Sequence, residues 1–221
     1  MTFGKQIINF YKSIDRCWLL PEGIDLIYPF ENQEILSLMG QFYNKYYNDK
    51  SERHFLFGIN PGRLGAGMTG IPFTDPIRLE NECGIMNNIK KKPELSSIFI
   101  YEMINHISSV KAFYNQFYVS SICSLGFTKD GRNYNYYDDP ILYSSVQPYI
   151  IDSIEKQIGI LCKRDKAFSL GQGKNFKIFV ALNDKYGWFN EIIPLPHPRW
   201  IMQYKRKTKQ LYLDEYRMKL T

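Results

Sequence analysis

The architecture of this chain is indicated by the stretch His54-Phe55-Leu56-Phe57-Gly58-Ile59-Asn60-Pro61-Gly62. A short apolar run of this kind is typical of a buried β-strand, and the Asn-Pro-Gly that follows it ends the strand in a loop. Apolar residues at helical spacing lie on both sides of the run. We therefore predict a strand over 54–59 that lies among helices and opens into a long loop at Asn60.

Similar apolar runs and helical patterns alternate along the rest of the chain. Further strands are predicted at 117–123, 167–170 and 191–195, and helices at 3–17, 33–47, 76–91, 96–114, 144–163, 174–187 and 205–221. Strands that alternate with helices favour a mainly parallel sheet covered on both faces. The predicted fold class is α/β, a three-layer α/β/α sandwich with a four-stranded, mainly parallel central sheet. Its active site should lie at the carboxyl ends of the strands, where the loops from Asn60 and His197 begin.

The chain is expected to form a single domain, because 221 residues fit one large domain better than two. We divide it into N-terminal helices (1–50), a core that bears the motifs (51–204) and a basic C-terminal helix (205–221). Pro21 to Pro29 link the first two helices. A polar loop is predicted at 129–140.

The positive charge of the chain is concentrated at its C-terminal end. The formal net charge is +6, and residues 197–221 hold seven Lys or Arg against two acids, which is +5 of that excess. Such a patch suits a polyanion, but taken alone it is better explained as an ordinary solvated helix face.

The cysteines and histidines argue against a metal site. Cys17, Cys83, Cys123 and Cys162 are far apart, form no CxxC pair and are accompanied by only three histidines. We expect no zinc, no iron–sulfur cluster and no disulfide, and hence a reducing compartment.

The N-terminal residues are predicted to form an amphipathic helix and not a signal peptide, and no apolar run is long enough to span a membrane. The protein is therefore expected to be soluble and cytoplasmic.

A dinucleotide-binding pattern, Gly65-Ala66-Gly67-Met68-Thr69-Gly70, is present but stands in the wrong context. The fingerprint requires a tight turn from a strand directly into a helix. Here Asn60 to Leu64 separate the strand from the glycines, and Ile71-Pro72-Phe73 follow them, with no helix predicted. We therefore expect no nucleotide cofactor.

Three motifs stand at predicted strand ends. The first runs from Gly58-Ile59-Asn60-Pro61-Gly62 to Met68-Thr69-Gly70-Ile71-Pro72-Phe73-Thr74, the second is Val119-Ser120-Ser121-Ile122-Cys123-Ser124-Leu125, and the third is Leu195-Pro196-His197-Pro198-Arg199. In their order and spacing they resemble the single-strand-selective monofunctional uracil-DNA glycosylases, a family of the uracil-DNA glycosylase superfamily, in a divergent bacterial branch. The resemblance implies a DNA-repair enzyme that hydrolyses the bond between a damaged base and its sugar.

The resemblance also implies roles for individual residues. The amide of Asn60 would orient the attacking water, and His197 would hydrogen-bond the base carbonyl where negative charge develops, preferably as a neutral donor. Phe73 would stack on the flipped base. The predicted base-binding residues are Gly58, Ile59, Gly62, Met68, Phe73 and Ser121. The predicted DNA-binding residues are Arg199, Trp200, Met202, Lys205, Arg206 and Lys207, with Lys209 beside them.

Two departures from the family pattern bear on substrate choice. Ser121 stands where the family has the Asn that reads the base edge, and a rotatable hydroxyl discriminates less than an amide. The segment after His197 lacks the family's Ser-Pro pair, and it is predicted to be a loop that inserts Arg199, Trp200 or Met202 into the duplex. Gly62 leaves no side chain to block a 5-substituent.

Three functions remain open at this point. The first is a monofunctional glycosylase for uracil or other deaminated bases. The second is a glycosylase mainly for deaminated purines such as xanthine or hypoxanthine, and the third is a non-catalytic nucleic-acid-binding module. DNA is the expected partner, and the protein is expected to be a monomer.

Overall fold

A computed structural model gives the structure of residues 1–14 and 20–221. The end of the helix predicted at 3–17, with Cys17, lies outside these described residues. The helices are α1 (Phe3–Lys12), α2 (Gln33–Tyr46), α3 (Ala66–Thr69), α4 (Pro76–Asn81), α5 (Leu95–Ile107), α6 (Val110–Gln116), α7 (Pro140–Ile158), α8 (Lys174–Tyr186), α9 (Pro198–Tyr204) and α10 (Lys209–Leu220), with a 3₁₀ turn at Arg206–Thr208. The strands are β1 (Ile24–Ile27), β2 (Arg53–Gly58), β3 (Phe117–Ser121), β4 (Gly126–Lys129), β5 (Arg132–Tyr134), β6 (Cys162–Leu170) and β7 (Glu191–Leu195).

The central sheet has four strands in the order β3-β2-β6-β7, and every neighbouring pair is parallel. The last residues of neighbouring strands are in register, Gly58 with Ser121 and Leu170 with Leu195. All four carboxyl ends therefore meet at one edge of the sheet. Helices flank the sheet, so the predicted three-layer α/β/α fold is confirmed.

Aromatic side chains pack the helices against both faces of the central sheet. Phe55 and Phe57 point to one face, where they contact Phe3 of α1 and Phe179 of α8 at ring-centroid distances of 6.2 and 5.1 Å. Phe113 of α6 covers the opposite face, and its ring centroid lies 4.9 Å from that of Phe117, the first residue of β3. The first two contacts are edge-to-face, and aromatic contacts of these kinds add to the stabilisation by burial of apolar area. The sheet is thereby fixed as a rigid base for the loops at its carboxyl edge.

A second, three-stranded antiparallel sheet, β1-β4-β5, was not predicted. β1 lies within the predicted linker Pro21–Pro29, and β5 lies within the predicted loop 129–140. The turn between β4 and β5 is Asp130-Gly131, and both residues have positive φ, 50° and 67°. Asp-Gly in this conformation is a tight hairpin turn, and it was a signal that the sequence offered.

Several predicted helix limits are wrong for identifiable reasons. The helix predicted at 76–91 stops at Asn81, and Gly84 soon afterwards takes a φ of 63° that favours glycine. The helix predicted at 96–114 is two helices, because the Ser109 hydroxyl accepts a hydrogen bond from Ala112 N and begins α6. The long helix predicted at 144–163 starts earlier, where Asp139 caps its first turn.

Two further predictions are corrected at the carboxyl edge of the sheet. A one-turn helix, α3, lies inside the glycine loop, where no helix was predicted. It begins well beyond the end of β2, so the strand does not turn directly into a helix as the dinucleotide fingerprint requires. The segment after His197 is not a loop but helix α9, because His197 caps it and Pro198 occupies its first position.

Within the described ranges, no helix is long and apolar enough to cross a membrane. No three His, Cys, Asp or Glu side chains of the described part group together as a metal site.

Candidate active site

A chamber opens at the carboxyl edge of the sheet, at the ends of β2, β3 and β7. Its outer part has a volume of about 360 Å³ and is lined by Asn60, Phe73 and His197, among others. A small inner recess of about 30 Å³ continues from Asn60 and Phe73 to Ser121. Residues from three distant parts of the sequence are thus brought together, as the motif order led us to expect.

The amide of Asn60 is held by the small antiparallel sheet. Its Oδ1 accepts a hydrogen bond from Tyr136 N at 3.3 Å, and its Nδ2 donates to Tyr134 O at 3.2 Å and more weakly to Pro61 O at 3.4 Å. A carbonyl oxygen has two lone pairs, so Oδ1 can still accept from a water molecule. The orientation of this amide is therefore fixed by main-chain groups rather than by the substrate.

Phe73 is placed over the end of β2 by an unusual backbone conformation. Its φ is 53°, a left-handed value that costs a non-glycine residue about 1–2 kcal/mol. The Thr69 hydroxyl donates to Thr74 O at 2.6 Å and closes the loop around it. A Cβ on Gly58 would lie 2.6 Å from the Phe73 ring, so only glycine admits the ring there. Gly58 therefore makes room for Phe73, and its predicted contact with a base stays a prediction.

His197 is neutral and carries its proton on one particular nitrogen. Burial, and then the positive charge of Arg199, lower the pKa of His197 to about 4. Its Nδ1 accepts a hydrogen bond from Arg199 N at 3.1 Å, so the proton of the neutral ring is on Nε2. The ring lies 6.5 Å from that of Phe73, centroid to centroid. A neutral N–H donor thus stands beside the face on which a base would stack.

Glu94 is a site residue that sequence reasoning missed. It lines the outer chamber and the inner recess, and burial raises the pKa of its carboxyl group to about 6. A Cβ on Gly62 would lie 3.0 Å from Asn133 Nδ2 and 3.5 Å from Glu94 Oε1. The space beside Gly62 is therefore lined by polar groups and is not the open gap that the sequence suggested. No local pattern around Glu94 could have indicated this.

Ile59 and Met68 were also predicted to bind the base, and the structure places them differently. Ile59 lines the outer chamber and also a second cavity that lies on the other side of His197. Met68 lies on α3 and is not among the residues that line it, so its predicted base contact lacks support in the structure.

Comparison with known proteins assigns the family. The model of the uracil DNA glycosylase superfamily matches residues 44–221, which is most of the chain. The chain belongs to this superfamily. Its structure is also similar to the crystal structure of wild-type SMUG2 from Pedobacter heparinus, with a TM-score of 0.96, 46% identity and coverage of 99% of this chain and 97% of that one. Comparison with curated proteins gives no match. The resemblance seen in the three motifs is confirmed, and the protein is a DNA glycosylase, a hydrolase of DNA repair.

Helix α9 presents two aromatic residues of the glycosylase at the mouth of the chamber. Trp200 is 41% exposed and Tyr204 is 71% exposed, and both line the chamber. They are four residues apart, so they share one helix face. Met202 lies on the other face and is only 5% exposed, so it cannot be inserted into DNA as predicted. Tyr204 takes its place among the candidate wedge residues.

Positive charge surrounds the chamber more widely than the sequence indicated. Arg63, Arg132 and Arg199 border an adjoining groove of about 480 Å³, and only Arg199 was predicted. Lys205, Arg206 and Lys207 are exposed on the turn after α9. The Lys209 ammonium forms an ion pair of 2.5 Å with Glu102 and is therefore less available to phosphates.

The N-terminal end of α8 lies at Lys174, as predicted, but its position beside the chamber was not predicted. Gly171, Gln172 and Gly173 lead into this helix and line a second cavity of about 320 Å³ on the far side of His197. Lys174 extends from the first position of the helix toward Tyr137 O. The N-terminal end of a helix attracts anions, and a lysine beside it adds to that attraction.

Proposed function

We propose that this glycosylase removes uracil and other deaminated bases, including deaminated purines, by simple hydrolysis and leaves an intact abasic site. The observation that supports the proposal is the convergence of Asn60, Phe73 and His197 on one chamber. Asn60 orients the attacking water, Phe73 stacks on the extruded base, and His197 donates to the base carbonyl as the bond breaks. Departure of the base builds negative charge on it, and a preorganised neutral donor stabilises that charge without opposing the approach of water.

The proposal of purine substrates rests on the recess beyond Phe73. Ser121 is buried at the end of β3 and is smaller than the asparagine of the family pattern. Its hydroxyl can rotate to donate or accept, so a wrong base leaves no fixed group unpaired. A role as a non-catalytic binding module is disfavoured, because binding alone requires neither a held Asn60 amide nor a neutral His197.

The proposed reaction is tested with oligonucleotides that each carry one deaminated base. We expect strand breaks only after alkaline treatment, because hydrolysis leaves the backbone intact. A lyase would need an amine nucleophile, and no lysine lies in the three motifs. Cleavage without alkali, or a DNA adduct trapped by borohydride, would contradict a monofunctional mechanism. The same assay on single-stranded and paired substrates also determines the strand preference, and the predicted monomeric state can be checked alongside by sedimentation.

Replacing Ser121 by asparagine should narrow the substrate range. The longer amide would project into the recess of about 30 Å³ and would offer a fixed donor and acceptor. We expect the ratio of uracil to xanthine excision rates to rise by at least about tenfold. Ser144→Asn, at an exposed position of α7, is the matched control and should leave the ratio unchanged. An unchanged ratio in Ser121→Asn would move base recognition away from this residue.

The exposed cations after α9 should contribute to DNA affinity without sequence preference. Replacing Lys205, Arg206 and Lys207 by glutamine should reduce the slope of log affinity against log salt by about 0.7–0.9 for each phosphate that these side chains neutralise in the parent. Lys209→Gln serves as the comparison, because its ion pair with Glu102 predicts a smaller change. Equal slopes for the triple variant and the parent would make these residues an ordinary solvated surface.

A further inference from the structure

The carboxyl group of Glu94 is turned into the chamber instead of capping the helix that follows it. Glu94 precedes α5, yet its side chain makes no capping hydrogen bond. Its Oε2 accepts from the Ser97 hydroxyl at 2.9 Å, and its main-chain N donates to Asp75 Oδ2 at 2.8 Å. Asp75 in turn caps α4, directly after the Phe73 loop. The position of Glu94 is therefore tied to that of the stacking residue.

Two glycines allow this carboxyl group to approach the loop that carries Asn60. A Cβ on Gly65 would lie 2.1 Å from Glu94 Oε2, and a Cβ on Gly62 would lie 3.5 Å from Oε1. The carboxyl group thus occupies the space that a side chain at Gly65 would fill, and it lies at contact distance from the position of a Cβ on Gly62. Gly62, Phe73 and Glu94 line the same recess. Because Gly62 is the residue whose missing side chain leaves room for a 5-substituent, the carboxyl group lies on the 5-position side of a pyrimidine stacked on Phe73.

The same edge of a purine carries different chemistry. A pyrimidine has a C5–H group there, which accepts no proton. A purine held by its sugar in the same orientation presents the imidazole ring, with a lone pair on N7. A proton on N7 allows the base to leave as a neutral molecule rather than as an anion. A carboxyl group at this edge can therefore assist the departure of a purine but not that of uracil.

The surroundings of Glu94 keep part of its population protonated near neutral pH. Burial raises the pKa of Glu94 to about 6, and the negative charge of Asp75 acts in the same direction. The hydrogen bond from Ser97 and the positive charge of Arg199 act in the opposite direction. The other cations that border the adjoining groove are Arg63 and Arg132. General acids work best with a pKa near the working pH.

We propose that Glu94 is a catalytic general acid that protonates N7 of a deaminated purine as the base leaves. The proposal rests on the proposed function, namely excision of purines as well as uracil. The O–H bond of Glu94 breaks and an N7–H bond forms, while the C1′–N9 bond breaks with its electron pair passing to the base. The oxygen of water bonds to C1′, and a proton from that water returns through solvent to the Glu94 carboxylate.

The test compares Glu94→Gln with the parent on three substrates: uracil, hypoxanthine and 7-deazahypoxanthine, which has a carbon in place of N7. At pH 7 we expect Glu94→Gln to lose at least about tenfold in hypoxanthine excision, and less than about threefold on uracil. The parent should lose a similar factor on 7-deazahypoxanthine, and Glu94→Gln should lose nothing further on that substrate. Uracil excision by the variant also reports that it is folded. Glu80→Gln, outside the chamber and paired with Lys91, makes the same chemical change as a control.

The dependence on pH supplies an independent readout. Hypoxanthine is suitable because its ring stays uncharged in the working range. For a general acid, the parent rate on hypoxanthine is constant just below about pH 6 and falls by up to about tenfold per pH unit above it, until it reaches the rate of Glu94→Gln, which shows no such fall. A rate that rises with pH would overturn the proposal, since it would indicate a base.

Other results would also overturn the proposal and are distinguishable from one another. Equal losses on uracil and hypoxanthine would make Glu94 a positioning residue. Excision of uracil but not of hypoxanthine by the parent would reject the acid role and leave the glycosylase function standing. Failure to excise either base would reject the proposed function itself.

Discussion

Asn60→Ala is expected to lower the single-turnover rate of base excision by about 10³-fold, while DNA affinity changes by less than about threefold. The reason is that, in the proposed mechanism, the amide would hold the attacking water, an interaction that matters in the transition state far more than in binding. The measurement is excision under single-turnover conditions, together with affinity for an uncleaved DNA. A rate within about threefold of the parent would remove Asn60 from the mechanism.

The control for this variant must separate catalysis from stability, because Asn60 also holds the main chain at Tyr134 and Tyr136. Asn183 provides it, since its amide also holds a main-chain N and a main-chain O, both of Phe189, and neither residue lines the chamber. We expect Asn183→Ala to lower the melting temperature at least as much as Asn60→Ala, with an unchanged excision rate. Similar rate losses in both variants would assign Asn60 a structural role only.

His197→Ala is expected to slow bond cleavage by about 10²- to 10³-fold and to weaken substrate binding much less. The donor at Nε2 faces a base that becomes negative only as the bond breaks, so its contribution grows toward the transition state. The matched control is His54→Ala, whose imidazole pairs with Asp165 outside the chamber at 2.9 Å. A loss confined to affinity would make His197 a binding residue.

The lowered pKa of His197 adds a prediction about pH for the same variant. The folded protein holds the ring neutral down to about pH 4, whereas the ordinary pKa is 6.5. Protons therefore bind the unfolded chain first, and the stability associated with neutral His197 is present above the ordinary value and lost as pH falls toward about 4. In that window, the melting temperature of His197→Ala should fall less steeply with decreasing pH than that of the parent.

The central sheet could be predicted because β2, β3 and the last four residues of β6 are buried and read as short, mainly apolar runs. The edge strand β7 is less buried, but its Ile-Ile pair gives a similar signal. The small antiparallel sheet could not be found in this way, because β5 is polar and only three residues long. Its one signal was the Asp130-Gly131 turn. Helix limits were missed where capping decides them, as at Ser109 and Asp139, although both are residue types that begin helices.

The site residues that belong to contiguous sequence motifs could be predicted. Asn60, Phe73 and His197 stand at strand ends or in the loop that follows one, and the fold brings strand ends together. Glu94 is different, because nothing near it in the sequence connects it to the chamber. Its place depends on a hydrogen bond to Asp75 and on two glycines that make room for it. Met202 was misplaced because a helix was read as a loop, and the helix turns that side chain inward.

The way in which Asn60 is held restricts how this enzyme can evolve. An aspartate codon differs from an asparagine codon by a single base, so a change from water-orienting amide to general-base carboxylate is genetically close. Here, however, Nδ2 faces two carbonyl oxygens, those of Tyr134 and Pro61. A carboxylate oxygen in its place would meet them with repulsion and no hydrogen to share. A change to aspartate at this position is therefore expected to require a rearranged hairpin, because the main-chain groups around residue 60 fit the amide and not the carboxylate.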